Sequence, residues 1–282
     1  MSSAYNSDLE SASNSKLTRT LTITSGKGGV GKTTLVSNLA LTLASQGKKV
    51  LILDGDLGMA NVDIMFGKQV HKNILSVLEG DAPLIDSIAE LHPNIYLLSG
   101  GSGIRELQKI NDHQRQLLLD QVAALPMHFD YLLIDTAPGI DDNVLYLNAC
   151  AHERNIIVTP DPASLTDSYA LIKVLHKTYK LNRFSIIANF VRDEAEGLAL
   201  YKRMSDVAEK FLNISLDYKG SIPMDVAVRR ATKAQQLVVV SSPHSPSSLG
   251  IKNVAKQLNN VSDIEEIHGG MKFFWNHLFG VA

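Results

Sequence analysis

One cysteine, Cys150, stands in 282 residues. No disulfide can close within the chain, and a single copy cannot build a cysteine-only metal site. That fits a reducing compartment, the cytoplasm. Long hydrophobic runs are missing as well. No stretch of about 18 apolar residues is present to span a bilayer. The first residues, MSSAYNSDLESASNSKL, are polar and lack the apolar centre of a secretory signal. An excess of one charge is also absent: 27 Lys and Arg oppose 29 Asp and Glu, for a formal net charge of −2. A general nucleic-acid binder is thereby disfavoured, and only a local basic patch remains open. The histidines, among them His71, His92 and His113, show no metal-ligand spacing and read as surface or core residues. Wholesale disorder is excluded by the 45% hydrophobic and 20% charged content.

What is present is an alternation. Short apolar or β-branched runs occur at 19–24, 48–54, 94–99, 129–135, 155–160, 184–190 and 216–222. Between them lie amphipathic stretches, notably 34–47, 164–180 and 197–212. Strand followed by helix, repeated, predicts an α/β fold: a doubly wound, mainly parallel sheet with helices on both faces. Several runs are apolar throughout, as strands covered on both faces should be. The segment QLVVVSSPHSPSSLG reads as a loop or last strand before a helix at 251–258. The expected organisation is a flexible arm at 1–17, one nucleotide-binding domain at 18–260, and a linker with a C-terminal amphipathic helix at 261–282.

Gly26-Lys27-Gly28-Gly29-Val30-Gly31-Lys32-Thr33 fits G-x-x-x-x-G-K-[ST], with Thr34 next. It follows a strand and opens a helix, which is the context the P-loop motif requires. Glycines let backbone N–H groups approach phosphate oxygens, and the helix N-terminus adds partial positive charge. Lys32 is expected on the β- and γ-phosphates and Thr33 on Mg²⁺. Asp135 ends the strand YLLID and is the expected second support for Mg²⁺. Asp54-Gly55-Asp56 ends the strand LILD. Two carboxylates spaced by two share one face of extended backbone, where they either order Mg²⁺ and the attacking water or form a solvated strand-end loop.

Lys27 has no counterpart in the general motif. KGGVGKT, with a lysine directly after the first glycine, resembles the deviant Walker A motif of the ParA/MinD superfamily of P-loop ATPases. The resemblance covers residues 19–260. It implies ATP and ADP as ligands, an ATP-dependent homodimer, and a Lys27 that crosses to the phosphates of the other subunit; the alternative is a solvent-facing lysine that tunes the loop. LDGDLGMANVD (53–63) resembles the motif in which the second Asp, here Asp56, positions water. LIDTAPGIDDNV (133–144) resembles the Walker B and switch II region. By resemblance, Asn189 and the loop at Pro223 flank the adenine, although a buried Asn capping a strand end is the plainer account of Asn189.

DGDLGMANVDIMFG, SLTDSYALIKVL and the tail are most similar to the flagellar-number regulators, the FlhG, FleN or YlxH subgroup. That implies control of flagellar number and placement, with an FlhF-type GTPase, flagellar C-ring proteins and, in some lineages, a flagellar transcription regulator as partners. Members often carry an N-terminal DQAxxLR motif that stimulates the GTPase. Residues 1–18 lack it, so activation through the arm is not carried over. Iron–sulfur carriers of the superfamily need paired cysteines, and Cys150 is alone.

In the tail, Met271, Phe274, Trp275, Leu278 and Phe279 fall at i, i+3, i+4, i+7 and i+8, one apolar stripe on a helix. Such a helix at a chain end can lie in a membrane interface, or it can pack on the protein's own surface. One short helix binds lipid marginally, and two in a dimer bind far better. The expected location is cytoplasmic, peripheral on the inner face of the cell membrane, polar in some lineages. Three other functions stay open, the first a MinD-like positioning protein for another polar or septal cargo. A partition-type ATPase would bind DNA through Arg229, Arg230 and Lys233, a thin patch that disfavours DNA as a partner. A pure adaptor would bind ATP without turnover.

Overall fold

The computed structural model describes residues 18–56, 61–100, 106–107, 110–259 and 270–278. The arm at 1–17, most of the linker and Phe279 lie outside them. Strand β1 (Arg19–Thr24) leads into helix α1 (Lys32–Ala44), then β2 (Val50–Gly55), β3 (Ile88–His92), β4 (Ile95–Ser99), α2 (Asp112–Ala123), β5 (Tyr131–Thr136), α3 (Asp142–Cys150) and β6 (Glu153–Val158). There follow α4 (Pro162–Tyr179), β7 (Phe184–Val191), α5 (Glu194–Leu212), β8 (Leu216–Pro223), α6 (Val226–Lys233), α7 (Pro246–Asn259) and α8 (Gly270–Leu278).

The strands form one sheet in the order β3-β4-β2-β5-β1-β6-β7-β8. All neighbours are parallel except β3 with β4. β1 is central and buried along its whole length. Its side chains alternate between the faces. Leu21 and Ile23 join α1 and α7 in one apolar cluster. The opposite face carries two more. One joins β2 and β5 to α2, α3 and α8, and the other joins β6 and β7 to α4 and α5. This is the doubly wound sheet with helices on both faces, plus a C-terminal helix.

Two elements differ from the sequence expectation. β3 was not anticipated; from the sequence no element is assigned to Ile88–His92. It pairs back on β4 through Pro93 and Asn94, with Asn94 in the left-handed region at φ 66°. A Pro-Asn turn signal was there to be read. The segment at 238–241, taken as loop or strand, forms a short helix. Tertiary contacts override its β-branched run: Val238 is buried, and Val239 N donates to the Asn38 side chain at 3.2 Å.

Candidate nucleotide site

The site lies at the C-terminal ends of β1, β2 and β5. Helix α1 begins without a side-chain cap: Gly31 stands at N-cap with φ 90°, no N-cap side chain accepts from the first N–H groups, and no acid lies in the first turn. By contrast, Asn111, Asp161, Asp193 and Asp225 cap α2, α4, α5 and α6 with their side chains. The open N–H groups of α1 are therefore left for an anion. Gly26 is required for space. A Cβ there would stand 2.1 Å from the Asp167 carbonyl carbon, in the backbone of α4.

Lys32 is buried, and its ammonium donates to Ser25 Oγ at 3.1 Å. Ser25 Oγ in turn donates to the Lys27 carbonyl at 2.7 Å. Burial lowers the Lys32 pKa, opposed by the charges of Asp135 and Asp56. Parallel pairing of β2 and β5 sets Asp54 beside Asp135. Burial pushes Asp135 up to about 7; a hydrogen bond from the Thr33 hydroxyl opposes this, and the Asp54 charge adds to it. Burial likewise pushes Asp54 up to about 6. Asp54 accepts from the amides of Asp56 at 3.2 Å and Val62 at 3.4 Å, so it fixes both residues against the end of β2. Asp135 Oδ1 is buried and has no hydrogen-bond partner among the described residues.

Asn189 and Pro223 line a mainly apolar pocket of about 300 Å³ next to Gly31 and Thr34. Asn189 Nδ2 donates to the Val30 carbonyl at 2.8 Å, so it also holds the loop. Phe190, beside it in the pocket, has a left-handed backbone at φ 58°. Such strain in a non-glycine residue persists where the surroundings impose it, often at sites.

The structure therefore brings Gly26, Gly28, Gly29, Val30, Gly31, Lys32, Thr33 and Thr34 into one loop and helix start, with Asp56 and Asp135 within electrostatic reach of Lys32. Lys27 is half-exposed and forms an ion pair with Asp161, the capping residue of α4. Three participants were missed from sequence: Ser25, Asp54 as an anchor, and Asp161. The dipeptide Asp161-Pro162 carried a readable signal, an N-cap acid followed by proline at the first helical position. Arg229, Arg230 and Lys233 are exposed on α6, and Arg229 borders the pocket.

A family model described as ParA, NUBPL iron-transfer P-loop NTPase, matches residues 16–259. The chain belongs to the ParA family of P-loop NTPases. It is 35% identical to the antiactivator FleN of Pseudomonas aeruginosa over 258 residues, 92% of each chain. It is 36% identical to the flagellum site-determining protein YlxH of Helicobacter pylori, over 93% of this chain and 90% of that one. Among solved structures it resembles MinD of Aquifex aeolicus, with a TM-score of 0.66, 27% identity, and coverage of 86% of this chain and 98% of that one. MinD of Pyrococcus horikoshii, described as complexed with Mg-ADP, aligns with a TM-score of 0.67 at 27% identity, over 88% and 98%.

A ParA-family site takes a magnesium nucleotide, and the residues here fit one. A buried carboxylate oxygen without a donor is costly unless a cation or proton meets it, and Asp135 Oδ1 is such an oxygen. Thr33 supplies a hydroxyl next to it. Among the described residues no cluster of three His, Cys, Asp or Glu could hold a metal unaided. Mg²⁺ takes one or two protein groups and completes its shell with water and phosphate.

Helix α8 packs against the body. Phe274, Trp275 and Leu278 are buried among Leu118, Leu147 and Cys150, with Met271 partly buried beside them. The Tyr146 hydroxyl, on α3, donates to the Leu278 carbonyl. In this conformation the described part of the stripe, Met271 to Leu278, faces the protein core. No helix among the described residues is long and apolar enough to cross a membrane.

Proposed function

We propose that this chain is an ATP-hydrolysing switch of the MinD kind that regulates flagellar number or placement. The names borne by its relatives, antiactivator FleN and flagellum site-determining YlxH, support the second half of that reading. The site supports the first. Loop amides and Lys32 grip the phosphates, while Thr33 and Asp135 hold Mg²⁺, which when bound offsets charge on the β- and γ-phosphate oxygens. Asp56 orients the attacking water. Lys27 leaves Asp161 and completes the site of a second copy, where a cation delivered in trans stabilises developing charge. Its present ion pair is solvent-exposed on both sides, and exposed pairs are weak enough to exchange.

ATP thus favours the dimer, and hydrolysis returns the monomer. In the dimer α8 leaves its seat and two copies engage the inner face of the cell membrane. Partners of the assembled form would be an FlhF-type GTPase, flagellar C-ring proteins and a flagellar transcription regulator. The observation that carries the switch is the location of the seat. It is built on α3, which begins seven residues after Asp135. A second reading, α8 as a fixed part of the core, is favoured by the full burial of Phe274 and Leu278.

Nucleotide titration, turnover and sizing of variants test the proposal. Lys32→Ala should lose ATP binding. Asp56→Ala should bind ATP, hydrolyse it at least about a hundredfold more slowly and accumulate as a dimer. Lys27→Ala should bind nucleotide yet stay monomeric. Wild-type turnover in Asp56→Ala or in Lys27→Ala would contradict the assigned roles.

A further inference from the structure

Central strand β1 carries threonine at three successive positions of one face: Thr20, Thr22 and Thr24 are all buried. In the middle of a doubly covered sheet, aliphatic residues are the usual choice. Buried hydroxyls must find partners, and these find them on and just after α3. Thr22 Oγ1 donates to Asn148 Oδ1 at 2.8 Å. Asn148 Nδ2 donates to Thr24 Oγ1 at 3.2 Å and to the Val144 carbonyl at 2.7 Å. Thr136 Oγ1 donates to Thr24 Oγ1 at 2.9 Å. His152, just past α3, meets Thr20 through its Nδ1 at 2.6 Å and its amide at 3.0 Å.

The network has a notable course. Thr136 directly follows Asp135. Thr24 directly precedes Ser25, which holds Lys32. Asn148 is fully buried, with both ends of its amide engaged. It lies on α3 between Tyr146 and Cys150, two residues of the α8 seat. The loop from Thr136 to α3 is itself tied to the nucleotide loop, since Gly139 N donates to the Ser25 carbonyl at 2.9 Å.

We propose that Asn148 is a positioning residue that holds α3 in the register that seats α8 and passes the state of the nucleotide loop to that seat. The inference rests on the reading that ATP releases α8. Apolar contacts alone let a helix slide on a sheet. Buried, directional hydrogen bonds permit one register. Any shift of the 137–141 loop toward a γ-phosphate therefore reaches α3 through the Asn148 bonds, and the seat changes when they do.

The full chain carries its own reporter, because Trp275 is the one tryptophan and is buried in the seat. Acrylamide quenching of Trp275 would be measured with ADP and with a non-hydrolysable ATP analogue. Wild type would be compared with Asn148→Leu and with Thr22→Val plus Asn148→Leu, which removes both partners of a bond and so limits the loss of stability. Nucleotide affinity and thermal midpoints would be taken on the same samples. We expect wild-type quenching to rise about tenfold with the analogue, and the response to fall below about twofold in both variants while nucleotide Kd stays within about threefold. A wild-type response in Asn148→Leu would overturn the inference alone. No response in wild type would overturn the release reading, and the inference with it. Should Asn148→Leu fail to fold, Thr136→Val cuts the other end of the network; an unchanged response there refutes the coupling, and a lost one supports it.

Discussion

Asp135 and Asp54 stand side by side on neighbouring strands, and burial raises both toward neutrality, to about 7 and about 6. The consequence for the ligand-free protein has a definite sign. Unfolded carboxylates titrate near 4. Between about pH 4 and 7 the native chain thus binds more protons than the unfolded one, so stability falls as pH rises through that window. One proton is worth up to about 1.4 kcal/mol per pH unit. Urea midpoints across this range should decline, and Asp135→Asn should flatten the upper part. A ligand-free protein that gains stability from pH 5 to 7 would contradict this assignment. Gly26 gives a second residue-scale test. A methyl there meets backbone rather than a yielding side chain. Gly26→Ala should cost about 1–3 kcal/mol and abolish nucleotide binding; a variant that binds ATP normally would show that the loop is not held against α4.

At this scale much of the site was readable in advance. The phosphate loop, Asp56, Asp135 and the pocket residues Asn189 and Pro223 followed from motif, context or resemblance, and the structure places them around one loop. What stayed hidden are residues whose roles depend on pairing across the fold. Ser25 and Asp161 meet Lys32 and Lys27 through contacts seven and 134 positions apart. Asn148 looks like an ordinary polar residue in a helix until β1 is laid beside it.

Among the elements, α1 and α8 stand out for opposite reasons. α1, like α3, has no side-chain cap, but its first N–H groups lie in the glycine loop, where an anion can meet them. α8 fills the core cluster over α2 and α3, although its sequence pattern alone suits lipid equally well. The periodicity announced an amphipathic helix and not what covers it, because an apolar stripe has the same spacing against protein and against membrane. Phe274→Ala tests the seat. Truncation of a buried phenylalanine costs about 3–5 kcal/mol, with undocking of α8 as a ceiling. The variant should show Trp275 emission shifted to longer wavelength and a lower unfolding midpoint. An unchanged Trp275 spectrum would mean that α8 is not seated in solution. β3 shows the converse limit: a five-residue edge strand with a bulge leaves too little pattern to separate it from a helical turn.

For the whole molecule, the sheet order puts the glycine loop, the Asp135 strand and the tail seat on adjoining elements. β1 and β5 are neighbours, and α3 links β5 to β6 on the other side of β1. Alternation of strand and helix was enough to infer the parallel, doubly wound sheet. The position of α8 was not, since an apolar stripe does not say what it packs against. Releasing Phe274, Trp275 and Leu278 from the core forgoes about 1.5–3 kcal/mol for each large apolar side chain, and lipid returns a similar amount only if the chain is held at the surface. Two linked helices meet that condition and one does not. The central claim is therefore that ATP, by dimerisation, moves α8 from protein to membrane. The most direct measurement is co-sedimentation of full-length Asp56→Ala protein with lipid vesicles, in ATP and in ADP, beside the same variant ending at Gly270. The account predicts pelleting by the full chain with ATP alone. Equal pelleting in both nucleotides, or none in either, would contradict it.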